Sequence, residues 1–213
     1  MTDGVEIIRG KRVLIRYEGK KCIHSRFCVL TRPDVFVPNV EGEWIHPDSA
    51  TAEEVAELAH LCPSGAIRYQ RLDGHADETA PEVNVLRLRE NGPLAVSAAL
   101  ELGGRDVGFR ATLCRCGASK NKPFCDGSHN ALPFQATGEP ETKPSEPLAN
   151  RGGPLKITPL PNGPYQVEGN LELCAGTGRT INRVDKTRLC RCGHSANKPY
   201  CDGTHVKIGF TAE

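Results

Sequence analysis

Sixteen residues, CRCGASKNKPFCDGSH from Cys114 to His129, return almost unchanged as CRCGHSANKPYCDGTH from Cys190 to His205. Twelve of the sixteen positions are identical, among them all three cysteines and the closing histidine. A segment this rich in thiol and imidazole folds around whatever those groups bind, because ligation and folding share one free energy. Ten cysteines in 213 residues leave two routes, disulfides or metal. The opening stretch MTDGVEIIRGKRVLIRYEGK holds no apolar run of secretory-signal length. No segment nears the roughly 18 consecutive apolar residues of a membrane span. The expected location is therefore the cytoplasm, where thiols stay reduced. Close Cys-x-Cys pairs with a histidine nearby are foreign to disulfide frameworks, so the cysteines read as metal ligands.

Composition agrees with a chain stapled by metal. Hydrophobic residues make up 38% and aromatics only 5%, so any core is small and needs such a staple. Lysine and arginine number 27 against 26 acidic residues. That balance gives no electrostatic reason to expect nucleic acid or an anionic membrane as a partner.

Two polar, Pro- and Gly-bearing stretches, Arg71–Glu82 and Thr137–Pro154, read as linkers. They leave three segments: 5–70, 83–136 and 155–213. The last two are repeats. VLRLRENGPLAVSAALEL matches LKITPLPNGPYQVEGNLEL around a shared Asn-Gly-Pro turn. Apolar residues alternate on both sides of each turn, the period of paired strands. Each repeat closes on an aromatic segment, LPFQAT or IGFTAE, read as a returning strand. Two such half-domains can bury their apolar faces against each other.

The first segment differs. KRVLIRY alternates as a strand does, and VFVPN and EWIHP are short strand candidates. SATAEEVAELAHLC reads as a helix, with Thr51 and Glu54 forming a capping box. Val55, Leu58 and Cys62 share one face, and Pro63 ends the helix beside Cys62.

Three thiolates and one imidazole suit a structural zinc site or a 2Fe–2S cluster whose four ligands divide between two irons. Zinc fingers usually separate their cysteines by two to four residues, whereas one residue parts Cys114 from Cys116. That spacing suits two ligands on one iron, with Cys125 and His129 on the other. The pattern C-x-C-x2-[ST]-x3-P-x-C-D-G-[ST]-H resembles the signature of CDGSH iron–sulfur (NEET) proteins, and both copies match at every position. The resemblance implies two 2Fe–2S clusters, one on Cys114, Cys116, Cys125 and His129, the other on Cys190, Cys192, Cys201 and His205. It also implies that the motifs pair as in dimeric members, here within one chain as an intramolecular pseudo-dimer, so a monomer is expected. Asp126 and Asp202 either cap a short helix that presents the histidine or simply make an Asp-Gly turn. Gly117 and Gly193 admit backbone N–H groups to the sulfurs. Lys122 and Lys198 either offset cluster charge or are ordinary solvated lysines.

KCIHSRFCVLTRPDVF with AHLCPSGAI is similar to small single-cluster ferredoxins of the 3Fe–4S type and to the divergent mono-cluster ferredoxin domain. Bacterial ferredoxins carry C-x2-C-x2-C and a later Cys-Pro. Here Ser25 stands in the middle cysteine position. Cys22, Cys28 and Cys62 imply a 3Fe–4S cluster. A 4Fe–4S cluster requires a further ligand such as Ser25, His24 or solvent. The plainer reading of all three is ordinary buried cysteine. Cys174 aligns with Gly103 and reads as structural; His194 stands where the first motif has Ala118 and reads as inessential.

The expected fold is α+β: a ferredoxin-like domain, then a β-rich tandem CDGSH domain. No nucleophile–base pair, phosphate loop or dinucleotide fingerprint is present, so no enzyme is expected. Electron transfer with redox partner proteins is the leading function. The alternative is a cluster donor serving apo-acceptors, or a redox or pH sensor. The two motifs, nearly identical, are expected to behave alike.

Overall fold

The computed structural model describes residues 4–212. It divides into two compact units between Thr79 and Ala80. It is mixed α+β, with few helices and most of its regular structure in sheets.

In the N-terminal unit, β1 (Val5–Arg9) and β2 (Val13–Glu18) form an antiparallel pair, and β3 (Ile67–Arg71) lies on the other side of β2. Val13 and Ile15 point inward and are buried, as the alternation of KRVLIRY requires. Between β2 and β3 come α1 (Phe27–Thr31) and α2 (Ala52–His60). The capping box is present in full. Thr51 Oγ1 accepts from the Glu54 N–H, and the Glu54 carboxylate accepts from the Thr51 N–H at 2.8 Å. The inner face of α2, Val55, Leu58 and Ala59, packs with Val13, Ile15, Phe36 and Ile67. The expected strands in VFVPN and EWIHP shrink to one bridge, Phe36 with Ile45. Pro38 and Pro47 stand just beyond it, and proline cannot extend a ladder.

The C-terminal unit is one eight-stranded sheet assembled from both repeats. The first repeat supplies β4 (Val85–Leu88), β5 (Leu94–Ser97), β6 (Ala99–Leu102), β7 (Arg105–Asp106) and β8 (Arg110–Leu113). The second supplies β9 (Pro154–Pro159), β10 (Tyr165–Cys174) and β11 (Thr180–Leu189), followed by α3 (Thr204–Lys207). The strands run β7-β6-β9-β10-β4-β5-β8, with β11 also on β10. The two hairpins, β4–β5 and β9–β10, are the ones read around Asn-Gly-Pro. The repeats then exchange partners. β6 pairs parallel with β9, and the far end of β10 pairs parallel with β4. Leu86, Leu88, Val96 and Leu100 from one repeat and Leu155, Ile157, Val167 and Leu173 from the other form a single buried cluster.

Two sequence readings change here. LPFQAT, and IGFTAE as far as Ala212, the last described residue, are not strands. Each is held by the asparagine of its own hairpin turn: Asn91 Oδ1 accepts from Ala136 N–H at 2.9 Å, and Asn162 Oδ1 from Ala212 N–H at 2.8 Å. Thr137–Pro154 is not a free linker either. Lys143 N–H donates to Ile181 O, Ser145 Oγ accepts from Arg183 N–H, and Asn84 N–H donates to Arg151 O. The stretch is a strap laid along β11 and back to the start of β4.

Candidate metal centres

Each motif loop of the C-terminal unit is closed by the sheet it grows from. At the end of β8, Leu113 bridges to Phe124, Cys114 N–H donates to Pro123 O, and Cys125 N–H donates to Thr112 O. The second loop repeats this at the end of β11 with Leu189 and Tyr200, Cys190 and Pro199, Cys201 and Arg188. A left-handed glycine follows, Gly127 (φ 83°) or Gly203 (φ 86°), and one short turn of helix then carries the histidine.

The donors come in pairs. Cys114 Sγ lies 3.8 Å from Cys116 Sγ, and Cys190 Sγ lies 3.8 Å from Cys192 Sγ. Cys125 Sγ lies 3.5 Å from His129 Nδ1, and Cys201 Sγ lies 3.4 Å from His205 Nδ1. A tetrahedral metal with thiolates at about 2.3 Å and imidazole at about 2.0 Å spans roughly 3.8 Å between two sulfurs and roughly 3.5 Å between sulfur and nitrogen. Every pair has the bite of one such metal. Among the described residues, no three His, Cys, Asp or Glu side chains group closely enough to hold a single ion.

The identical residues between the ligands build the loops. Asp126 accepts from Ser128 N–H at 3.0 Å and from Lys120 N–H at 2.8 Å, and Asp202 does the same for Thr204 and Ala196. Each aspartate therefore fixes the start of the histidine turn and ties it to the middle of the loop, while glycine holds the N-cap position. Ser119 and Ser195, both buried, donate to Phe124 O and Tyr200 O. Lys122 and Lys198 are partly exposed, and their ammonium groups donate to Ser119 O and Ser195 O. Gly127 and Gly203 direct N–H groups at Cys125 and Cys201 Sγ, each at 3.4 Å.

Burial sets the thiol electrostatics. It pushes Cys125 up to about 11 and raises Cys192. Cys114 is the exception, brought down to about 6. The adjacent Cys116 thiol is the main cause, and N–H groups of Ser119 and Gly117 and the Lys122 charge assist. Cys116 is raised by the same pairing, with burial adding. Thiolates this close together and this buried repel one another and are disfavoured without bound cations to offset their charge. The donor set fits a metal cluster on that ground.

The two loops also touch each other. A Cβ on Gly117 would lie 2.7 Å from Cys192 O, and one on Gly193 would lie 2.5 Å from Cys116 O. These glycines admit the opposite loop, besides sending one N–H toward Cys114. Sequence reasoning missed three further residues. Arg115 and Arg191 are each 1% exposed. They donate to Arg89 O and Leu160 O, the residues two positions before each turn asparagine. Burial lowers Arg115 to about 10, against the pull of Cys190 and Glu90. Tyr165 is the third, fully buried, with its hydroxyl 2.9 Å from Cys114 O and 3.0 Å from Pro123 O. The duplicated Cys-Arg-Cys was a visible signal for the arginines; nothing marked the tyrosine.

In the N-terminal unit, Cys22 precedes α1, Cys28 lies within it and Cys62 follows α2. All three line one cavity of about 340 Å³. Tyr17, Trp44 and Ile67 give it an apolar wall, and exposed His24 and Ser25 stand on its rim. His24 N–H donates to Cys22 Sγ at 3.4 Å, and Ser64 Oγ lies 3.6 Å from Cys62 Sγ. Burial raises Cys28, and the charges of Cys22 and Cys62 add to it. No other cysteine of the described residues reaches this cavity, and a larger open groove beside β1 contains none. Cys174 sits on β10 beside Thr180, in neither donor set.

Comparison with known proteins matches residues 91–130 and 162–206 to the family described as iron-binding zinc finger, CDGSH type. Residues 8–72 match the family described as divergent 4Fe–4S mono-cluster. CDGSH iron-sulfur domain-containing protein 1 of Mus musculus is 35% identical over 90 residues, which cover 42% of this chain and 73% of that protein. The Rattus norvegicus protein of the same name matches to the same extent. No helix among the described residues is long and apolar enough to cross a membrane.

Proposed function

The chain belongs to the CDGSH iron–sulfur domain family, and from that premise we propose that it is a multi-cluster electron-transfer protein. In this reading Cys114, Cys116, Cys125 and His129 hold one 2Fe–2S cluster, and Cys190, Cys192, Cys201 and His205 hold another. Cys22, Cys28 and Cys62 hold a 3Fe–4S cluster, or a 4Fe–4S cluster, as the matched family description has it, with solvent, His24 or Ser25 completing the set. Bound there, such clusters accept and return single electrons.

The observation that carries the reading is the pairing of donors. Two sulfurs 3.8 Å apart and a sulfur–imidazole pair at 3.5 or 3.4 Å suit two metals per loop better than one. The chain's own residues do the rest. Buried Cys114 and Cys190 exclude water from the inner ends of the sites. Gly127 and Gly203 N–H groups stabilise outer thiolates, and neutral imidazole in place of a fourth thiolate limits the negative charge, which raises the reduction potential. The interleaved strands, the single core and the reciprocal glycine contacts support an internally paired monomer.

The iron-loaded chain should bleach on dithionite and recover in air, while iron stays bound. A chain that loads zinc and no iron overturns the reading. A cluster-donor role rests on a different observation: His129 and His205 are partly exposed, whereas Cys114 and Cys190 are buried. If that role dominates, incubation with an apo-ferredoxin moves 2Fe–2S absorption to the acceptor.

A further inference from the structure

We propose that the two His-bearing sites are not equivalent, and that Tyr165 is the positioning residue that separates them by tying the first loop shut with a hydroxyl the second loop lacks. The proposal rests on the assignment of both donor sets as cluster ligands.

Tyr165 opens β10 directly after the second Asn-Gly-Pro turn and pairs in register with Leu189. Leu94 opens β5 directly after the first such turn and pairs with Leu113. The two residues occupy the same place in their repeats, and both are fully buried. Only the tyrosine carries a donor. A buried phenol requires a partner, and this one finds two across the repeat boundary: Cys114 O at 2.9 Å and Pro123 O at 3.0 Å. Those carbonyls mark the neck of the first loop, since Cys114 N–H itself donates to Pro123 O. The hydroxyl therefore closes the loop a second time, beside the innermost ligand. Arg191, from the second motif, lies with its guanidinium 5.6 Å from the centre of the Tyr165 ring, a cation–π contact that holds the ring in place. In the opposite direction the residue matching Tyr165 is Leu94, which has no hydroxyl to offer.

Hydrogen bonding and closure around a cluster's ligands are among the levers that set its potential and its stability. A hydroxyl whose hydrogen points into the first loop favours added negative charge there. The first site is expected to have the higher potential and the slower loss. The motifs themselves differ at Ala118/His194, Lys120/Ala196, Phe124/Tyr200 and Ser128/Thr204; of these His194 touches a ligand residue, its Nδ1 lying 2.7 Å from Cys192 O. The test separates the two.

In the full iron-loaded chain, an EPR-monitored redox titration should resolve two 2Fe–2S midpoints. His129→Cys should displace only one, which labels the first site. Tyr165→Phe should lower that labelled midpoint toward the other and speed acid loss from the first site roughly fivefold, the size of one hydrogen bond, while leaving the second site unchanged. His194→Ala should keep the separation. A single shared midpoint in the unaltered chain overturns the proposal. So does a Tyr165→Phe chain in which both sites move, neither moves, or neither loads, and so does a separation that vanishes in His194→Ala. If His129→Cys and His205→Cys move nothing, the ligand assignment itself has failed, which is a different result from an equal response of two labelled sites.

Discussion

At each histidine turn an aspartate sits three residues before the imidazole. Burial pushes Asp126 up, but hydrogen bonds from Ser128 and Lys120 outweigh it and hold the carboxyl at about 2. Asp202 is lowered further, first by the Thr204 N–H. Such depressed groups contribute stability that is complete above the ordinary carboxyl value of 3.8 and is lost only as pH falls through the folded value. They stay charged across the imidazole range, near pH 6.5. Burial lowers His129 from 6.5, so acid bleaching of the first site as pH falls below about 6.5 belongs to that imidazole, because protonated imidazole cannot bind metal. His129→Cys with His205→Cys should retain its colour through that window and titrate at lower potential, since each change adds an anionic ligand. Unchanged bleaching and unchanged potentials in this double variant would show that the histidines are not ligands. Asp126→Ala should cost about 2 kcal/mol, as loss of hydrogen bonds to a charged group does, and loosen His129 selectively; visible absorption during thermal unfolding reads it. The eight paired donors were legible because their spacing repeats. Tyr165 was not, because a tyrosine in an alternating strand has the same pattern whether its hydroxyl meets solvent or a loop carbonyl.

Among elements, what local chemistry decides was readable. The capping box at Thr51 starts α2 as read, but the helix ends at His60 with Leu61 as its C-cap, so Cys62 stands two residues beyond it and not within it. Thr51→Ala should cost about 1 kcal/mol and lower the melting temperature of the N-terminal unit by about 4–8 °C; no change would mean that the cap is redundant. β1 and β3 escaped because their inward faces are short: VEIIR is largely exposed, and IRYQR alternates with arginines around only Ile67 and Tyr69. Pairing with β2, not pattern, makes them strands. The segments LPFQAT and IGFTAE mislead for the opposite reason, being apolar enough for strands yet held by asparagine side chains. The glycines of the two Cys-x-Cys loops differ in kind from those of the histidine turns. Gly117 is left-handed and faces a carbonyl of the other loop, whereas nothing closer than the Asn130 side chain at 3.7 Å faces a Cβ on Gly127. Both alanine variants carry the left-handed penalty of about 1–2 kcal/mol. Gly117→Ala should additionally disturb both sites, and Gly127→Ala the first alone. Equal, one-site damage from each would show that the loops do not depend on one another.

Across the whole molecule, the duplication was plain and its consequence was not. Nothing in either repeat announces that β6 will seek β9 or that β10 will seek β4, because parallel pairing between distant segments leaves no local signature. The interleaving nevertheless governs what the chain can be. Each repeat alone would expose a strand edge and half of the shared cluster around Leu86, Leu100, Leu155 and Leu171. One chain supplies both halves, so under the proposed internal pairing the sites need no second copy. The loaded protein should therefore sediment as a monomer with every site occupied. An obligate dimer, with each motif paired only to a motif of another chain, would overturn internal pairing. Iron content then decides the remaining donor set. Two 2Fe–2S sites with a 3Fe–4S site give about seven irons per chain, and with a 4Fe–4S site about eight; acid-labile sulfide is about eight in both cases. Three cysteines around the cavity, with the middle ferredoxin position filled by Ser25, favour seven. A count of eight that falls to seven in Ser25→Ala or His24→Ala would identify the extra ligand, and a count of eight indifferent to both would assign it to solvent. Zinc near two per chain with little iron would remove the clusters from the C-terminal unit altogether and leave the paired donors as structural ion sites.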